Sequence, residues 1–363
     1  MDKETLINIF AQKQDRRDTT NKAYASRLLG LTKRFGKYKE EKYENWEYLK
    51  NKDEVIHFLT KMPNGRKDCN GEDCLPSPST QIGNLNPIIE YLKLIDEHIL
   101  AEDYNKVKKV IDDKIVKSYQ KGNGITETQK QNIISYEDLV NYTQKIDEEL
   151  KTLNSKSLKS HIDEWCIEEL GYMRILMRLY LLHPSRNEYA SLRFITLRDY
   201  KKLKQPELNY VVVGRDKSYL SITDYKTSGT YGNKLSEVTD KPLRRMFREL
   251  KSKRDAEGRD HLFYLTKKPT EHWDNVNLCA IMTRWSKKLI DKNIGSTLIY
   301  KIVIQEAGLN YNEALKNDDL DNAIKYDEIL SKYAKSRGHS QKIQKIAYVV
   351  DKQSNDKQSN DTQ

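Results

Sequence analysis

At Lys121-Gly122-Asn123-Gly124 the hydrophobic patterning of the chain stops, and the polar run ITETQKQN follows. Glycine admits backbone conformations that other residues avoid, and a polar stretch has no apolar side to bury. Neither a helix nor a strand is therefore expected to continue across this point. The break divides 363 residues into two parts that must each find a core, in keeping with the usual size of domains. We read residues 1–120 as a helical module, 121–132 as a linker and 133–350 as a second domain. Residues 351–363, where DKQSN repeats at 351–355 and 356–360, are expected to be a disordered tail.

The first part is helical by its spacing. From Lys22 to Phe35, Ala23, Tyr24, Leu28, Leu31 and Phe35 follow an i, i+3/i+4, i+7 stripe, with Arg27, Lys33 and Arg34 mostly opposite. Trp46, Leu49, Val55, Ile56, Phe58 and Leu59 mark a second segment, stopped by Pro63-Asn64-Gly65. After a loop at 63–79, Ser79 or Thr80 is placed to cap a helix carrying Ile88, Ile89, Leu92 and Ile95, and Tyr104 to Tyr119 forms a further basic helix.

The second part mixes periods. Helical patterns cover 136–152 and 158–182, and Pro184 ends the latter. Three short strand-like runs follow, Tyr210–Val213, Tyr219–Thr223 and Lys234–Val238, separated by Gly214-Arg215-Asp216-Lys217 and by the glycine-containing segment 227–233. His261–Thr266 reads as one more extended piece, and 273–350 as helical again. The fold class expected is mainly α, with a small antiparallel β-sheet in the C-terminal domain.

Charge and composition narrow the function. With 64 Lys+Arg against 54 Asp+Glu the chain carries +10, which suggests a polyanionic partner without specifying one. No run approaches the roughly 18 apolar residues of a membrane span. The start, MDKETLINIF, lacks the apolar core of a secretory signal, and four cysteines are too few to staple a chain this long. We expect a cytoplasmic or nuclear protein with reduced thiols. Cys69 and Cys74 have zinc-like spacing but no second His/Cys pair nearby. Neither a Walker A sequence nor GxGxxG occurs, so no nucleotide, cofactor or metal is expected.

Four residues of the second part suit phosphoryl transfer on DNA: Arg186 in HPSRNEYASLRF, Lys226 in SITDYKTSGTYGN, His339 in SRGHSQK, and Tyr348 nine residues later. A guanidinium fork can hold non-bridging phosphate oxygens. A tyrosine hydroxyl can act as nucleophile if nearby cations lower its ordinary pKa of about 10. A lysine at a hairpin tip can protonate the departing 5′ oxygen, and a histidine at a helix start adds a donor where backbone N–H groups already favour an anion. Singly each has an ordinary explanation: Tyr348 is one of 23 tyrosines, and Arg186 could serve the preceding helix end through its dipole. Order and spacing together favour the chemical one.

These segments resemble the tyrosine recombinase (phage integrase) family, in particular the diverged forms of viruses with large DNA genomes. PSRNEYASLRF resembles the first-arginine box, with Glu188 close behind Arg186; DYKTSGTYGNKLSEV is similar to the hairpin lysine box. RGHSQKIQKIAY resembles the Gly-His-Ser turn and the helix bearing the nucleophile. The first part resembles the family's helical core-binding domain. The resemblance implies a virus-encoded site-specific recombinase or integrase that closes on duplex DNA. It also implies a 3′-phosphotyrosine intermediate with catalytic Arg186, Lys226, His339 and Tyr348, and a homo-tetramer assembled on DNA.

The family's remaining box, H-x-x-R, falls on GSTLIYKIVIQEA, where Thr297 stands for the histidine and Tyr300 for the second arginine. Lys301 and Arg337 are the cations placed to compensate. Losing one phosphate donor costs about 3 kcal/mol of transition-state stabilisation. A catalytically degenerate, sequence-specific DNA-binding protein of the same fold is thus the rival expectation, and a type IB topoisomerase-like enzyme would share the chemistry.

Overall fold

The computed structural model describes residues 2–13, 16, 18–43, 45–63, 73–120 and 127–337. Two compact units, Met1–Lys121 and Gly122–Gln363, divide the chain.

Unit 1 is built from α1 (Lys3–Ala11), α2 (Asp18–Lys39), α3 (Lys52–Lys61), α4 (Pro78–Leu94) and α5 (His98–Gln120). The Asp2 carboxylate starts α1 by accepting from the Thr5 N–H at 2.8 Å. On α2 the buried stripe is Asn21, Ala25, Leu28, Leu31 and Phe35. Ala23, expected on that stripe, is exposed, because counting back from Leu28 by one helical turn reaches 24–25. The cap of α4 is Ser77, which accepts from the Thr80 N–H, with Pro78 in the first turn. Neither Ser79 nor Thr80 takes that role, since proline lacks an N–H and is best placed just inside a helix start. Phe10, Leu28, Phe35, Leu49, Val55, Ile88 and Tyr104 share the core of this unit.

Unit 2 begins with α6 (Glu127–Asn132), α7 (Tyr136–Ser155) and α8 (His161–Leu182). A capping box at Ser160 and Asp163 starts α8, and its middle, Leu170, Met173, Leu176, Met177, Leu179 and Tyr180, is fully buried. Next come a 3₁₀ turn (Asn187–Ser191), β1 (Arg193–Thr196), the one-turn α9 (Leu197–Tyr200), β2 (Tyr210–Val213) and β3 (Ser218–Ile222). The one-turn α10 (Ser228–Tyr231), β4 (Lys234–Val238) and α11 (Lys241–Ala256) follow. The chain then forms β5 (Tyr264–Leu265), β6 (Lys268–His272), α12 (Asn275–Ile290), α13 (Ser296–Lys316) and α14 (Leu320–Arg337).

The expected antiparallel sheet requires correction. β1, β2, β3 and β4 lie in that order, and β1 runs parallel to β2, so the four-stranded sheet is mixed. β5 and β6 form a separate antiparallel pair. A parallel neighbour needs a crossover, here supplied by α9 and the loop to residue 209. Asn209 fixes where that crossover lands. It is buried; its amide donates to Ser191 Oγ at 3.0 Å and to the Asp224 carbonyl at 3.0 Å. Its carbonyl accepts from the N–H groups of Thr223 and Asp224 at 2.9 Å. One side chain thus joins the end of the 3₁₀ turn, the start of β2 and the exit of β3.

The core of unit 2 runs from α8 through the sheet to α12 and α13, and includes Tyr180, Tyr189, Val211, Phe247, Trp273, Trp285 and Ile299. Leu176 sits at its centre with no exposed surface. Leu176→Ala is expected to destabilise unit 2 by about 3 kcal/mol through transfer and cavity costs. Hydrogen exchange of the α8 amides in the full chain measures this, and unchanged protection would contradict the placement.

Candidate functional site

The site grows from the end of α8. The His183 N–H makes the last helical hydrogen bond, to the Leu179 carbonyl at 2.8 Å, and Pro184 stops the helix. Burial pushes the His183 imidazole down to about 4, with the Lys332 charge acting the same way, so this ring is neutral at physiological pH. The Tyr180 hydroxyl donates to the Arg186 carbonyl at 2.9 Å, and the Tyr189 hydroxyl donates to the His183 carbonyl. Two core tyrosines therefore hold the backbone that presents Arg186. Asn187 ties the same loop to α12 and α13: its amide donates to Cys279 Sγ at 3.2 Å and its carbonyl accepts from Ser296 Oγ at 2.6 Å.

Against this loop lies the end of α14. The Ser336 hydroxyl donates to the Pro184 carbonyl, and Arg337 Nη1 donates to the Ser185 carbonyl at 3.1 Å. Arg337 is almost fully buried (4% exposed). Its Nη2 donates to Thr297 Oγ1 at 3.3 Å, and its guanidinium carbon lies 4.1 Å from the centre of the Tyr300 ring. Thr297 and Tyr300 are the two α13 positions where the resemblance to tyrosine recombinases implies a histidine and an arginine. A guanidinium from α14 occupies the space beside them. Tyr300, Ile304 and Ala307 of α13 pack on Leu330 of α14 and close the seam beneath it.

Lys301 has a different partner. It is buried, and its ammonium donates to Gln129 Oε1 of α6 at 2.7 Å. Burial, with the Arg337 charge adding to it, pushes its pKa down.

The β3–β4 connection brings in a further cation. Lys226 is exposed there. Lys234, the first residue of β4, is buried; its ammonium donates to the Ser336 carbonyl at 3.0 Å and lies 3.3 Å from the centre of the Tyr225 ring. Tyr225 is held by its own hydroxyl, which donates to the Gly232 carbonyl at 2.8 Å. Gly232 has φ 65°, a left-handed conformation suited to glycine that turns the chain into β4. Burial pushes the Lys234 ammonium down to about 8; Glu188 opposes this and Arg186 adds to it. Glu188 itself accepts from Ser185 Oγ at 2.9 Å.

Among the described residues, Lys234 is within electrostatic reach of Arg186 and Glu188 and bonds to Ser336, next to Arg337; backbone carbonyls and aromatic rings supply the named contacts of Lys234 and, with the Thr297 hydroxyl, those of Arg337. Carbonyl dipoles and ring quadrupoles orient cations without cancelling their charge. The arrangement is suited to a small oxyanion with several acceptor oxygens, such as a phosphodiester.

His339 and Tyr348 lie outside the described residues, as do the tail and Cys69; of the expected quartet, Arg186 and Lys226 are described. Asn209 and Lys234 had no place in the sequence-derived site. Lys234 carried a readable signal: Lys234, Ser236 and Val238 alternate onto one face of β4, and Val238 is fully buried. Among the described residues no group of three or more His, Cys, Asp or Glu side chains is arranged to hold a metal ion. No helix there is long and apolar enough to cross a membrane. No family model, curated protein or solved structure matches the chain.

The Arg337–Tyr300 stack is testable by itself. Tyr300→Leu and Arg337→Leu are expected to be non-additive in a double-mutant cycle, with a coupling of about 1–2 kcal/mol for a desolvated cation–π pair. Chemical denaturation of the full chain gives the values; additive losses would contradict the stack.

Proposed function

We propose that this chain is a DNA strand transferase of the tyrosine recombinase type, which cuts and rejoins duplex DNA through a 3′-phosphotyrosine bond. The observation that carries this reading is the hydrogen bond from the buried Arg337 to the Ser185 carbonyl, next to Arg186, with Gly338-His339-Ser340 and Tyr348 directly downstream in the sequence. In this scheme the Tyr348 hydroxyl attacks the scissile phosphorus. Arg186 and Arg337 hold the non-bridging oxygens, and His339 adds a donor to them. The P–O5′ bond breaks as the P–O bond to tyrosine forms, and the 5′ oxygen takes a proton from a lysine of the β3–β4 segment, which carries Lys226 and ends on Lys234. Attack by a 5′ hydroxyl reverses the step, so the energy of the broken bond is kept and ATP is not required.

Arg337 bears on the rival, a DNA-binding protein that has lost cleavage. The altered α13 box favours the rival, because Thr297 and Tyr300 cannot supply a guanidinium. Arg337 beside them favours activity, because a buried fork is retained there at the desolvation cost that any buried charge carries. By resemblance the active assembly is a homo-tetramer on two duplexes, and the excess of basic residues suits the DNA backbone.

A nicked suicide duplex carrying a site selected by binding tests the proposal. Wild type is expected to form a covalent adduct that is absent in Tyr348→Phe. Arg186→Ala and Arg337→Ala are each expected to slow adduct formation by about 10²–10³-fold, the usual effect of removing one oxyanion donor. Tight binding to that site with no adduct would contradict strand transfer and support the degenerate relative. Relaxation of a plasmid lacking the site would instead indicate topoisomerase activity.

A further inference from the structure

We propose that Lys234, rather than Lys226, is the general acid that protonates the 5′ oxygen as it leaves. The proposal rests on the strand-transfer chemistry proposed above and assigns one of its roles.

Three features of the molecule lead to Lys234. The first is position. Its ammonium donates to the Ser336 carbonyl at 3.0 Å, one residue before Arg337, whose guanidinium is bonded to the Ser185 carbonyl beside Arg186. Lys234 is therefore tied to the end of α14 that carries one arginine fork, and that end is bonded to the loop that carries the other. Lys226 is exposed eight residues earlier, beyond the α10 turn.

The second is fixation without neutralisation. The Lys234 ammonium is held between a carbonyl oxygen and the Tyr225 ring, 3.3 Å from its centre. An ammonium has three donors, and the Ser336 carbonyl takes one. Tyr225 is anchored in turn by the Gly232 carbonyl, and Asn209 anchors the backbone at Thr223 and Asp224, where the connection leaves β3. A proton donor must be positioned to within fractions of an ångström to be effective. Lys234 has that support, whereas Lys226 stands on the exposed part of the turn.

The third is acidity. An ordinary lysine, near 10.4, holds its proton too strongly to donate well near neutral pH. Burial pushes Lys234 down to about 8. The charged and titratable groups acting on it are Arg186 and Glu188 from the loop after α8 and Tyr225 from the β3–β4 connection, with Arg337 next to its Ser336 partner on α14. At pH 7 the group is mostly protonated and can give its proton up, matching the donor to the operating pH.

The bond between Tyr348 Oη and phosphorus forms, the P–O5′ bond breaks, and the tyrosyl proton passes to water. The Lys234 ammonium proton moves to O5′, leaving a 5′ hydroxyl and a neutral amine. In religation the amine takes the proton back from the attacking hydroxyl.

Replacing the bridging 5′ oxygen of the suicide duplex by sulfur separates proton donation from every other role. A thiolate leaves without an acid, so only a variant that lacks the acid is rescued. With the oxygen substrate, Lys234→Met is expected to slow adduct formation by at least 10²-fold, and with the sulfur substrate to approach wild type. Lys234→Arg keeps the charge and the contact with Tyr225 but is a poor acid, and is expected to behave the same way, which guards against misfolding of the methionine variant. Lys226→Met is expected to lose less than tenfold and to gain nothing from sulfur. For wild type on the oxygen substrate the rate is expected to fall as pH rises through about 8, and this falling limb should vanish with sulfur. Rescue of Lys226→Met, or a Lys234 defect equal on both substrates, would overturn the assignment while leaving strand transfer intact. Absence of a Tyr348-dependent adduct on either substrate would overturn strand transfer itself, and the acid role with it.

Discussion

A guanidinium laid on a tyrosine ring joins the last described turn of α14 to the start of α13, and the same guanidinium donates to the carbonyl of Ser185. Much of the site depends on this contact. The α14 end delivers Ser336, whose carbonyl receives Lys234 and whose hydroxyl meets Pro184. Arg337 thus links the loop after α8 to the first turn of α13, and Ser336 beside it links the same loop to the start of β4. A buried guanidinium is costly to desolvate and is stable only when its donors and its face are satisfied. Here the Ser185 carbonyl and the Thr297 hydroxyl take Nη1 and Nη2, and the Tyr300 ring covers the face.

Retained charge is what links the packing to chemistry. Surface pairs elsewhere, such as Lys217 with Glu237 or Arg245 with Glu249, match cation to carboxylate and add little to either stability or binding. At the candidate site Lys234 is held by a carbonyl and an aromatic ring, with Arg186 and Glu188 acting on it in opposite directions. Low local polarisability raises the value of each charge to an incoming anion. The lowered pKa of Lys234 reflects the same environment, since burial disfavours its protonated form, with Glu188 opposing and Arg186 adding to the effect.

Much of this architecture was legible in the residues. The α2 stripe through Leu28, Leu31 and Phe35, the end of α8 before Pro184 and the runs at 210–213 and 234–238 correspond to elements of the molecule. Two things were not legible. The parallel pairing of β1 with β2 escaped because β1 is four residues long and its crossover is a one-turn helix and a loop, with too little periodicity to announce a strand order. Which of Lys301 and Arg337 lies beside position 300 could not be decided from the residues, because the choice depends on how α14 packs on α13. The stack of Arg337 on the Tyr300 ring is a contact between residues 37 positions apart in the sequence. Lys234 falls between these cases: strand alternation places it inward, but its partners are far away in sequence at Ser336 and Arg186.

The proposed strand transfer requires this cluster to hold a tetrahedral oxyanion. Anomalous diffraction from crystals of the full chain soaked in tungstate measures that without requiring the DNA site. A tungstate peak within about 3 Å of donors from Arg186, Lys234 and Arg337 is the predicted result. Tungstate bound elsewhere on the chain, with this cluster empty at saturating concentration, would contradict it.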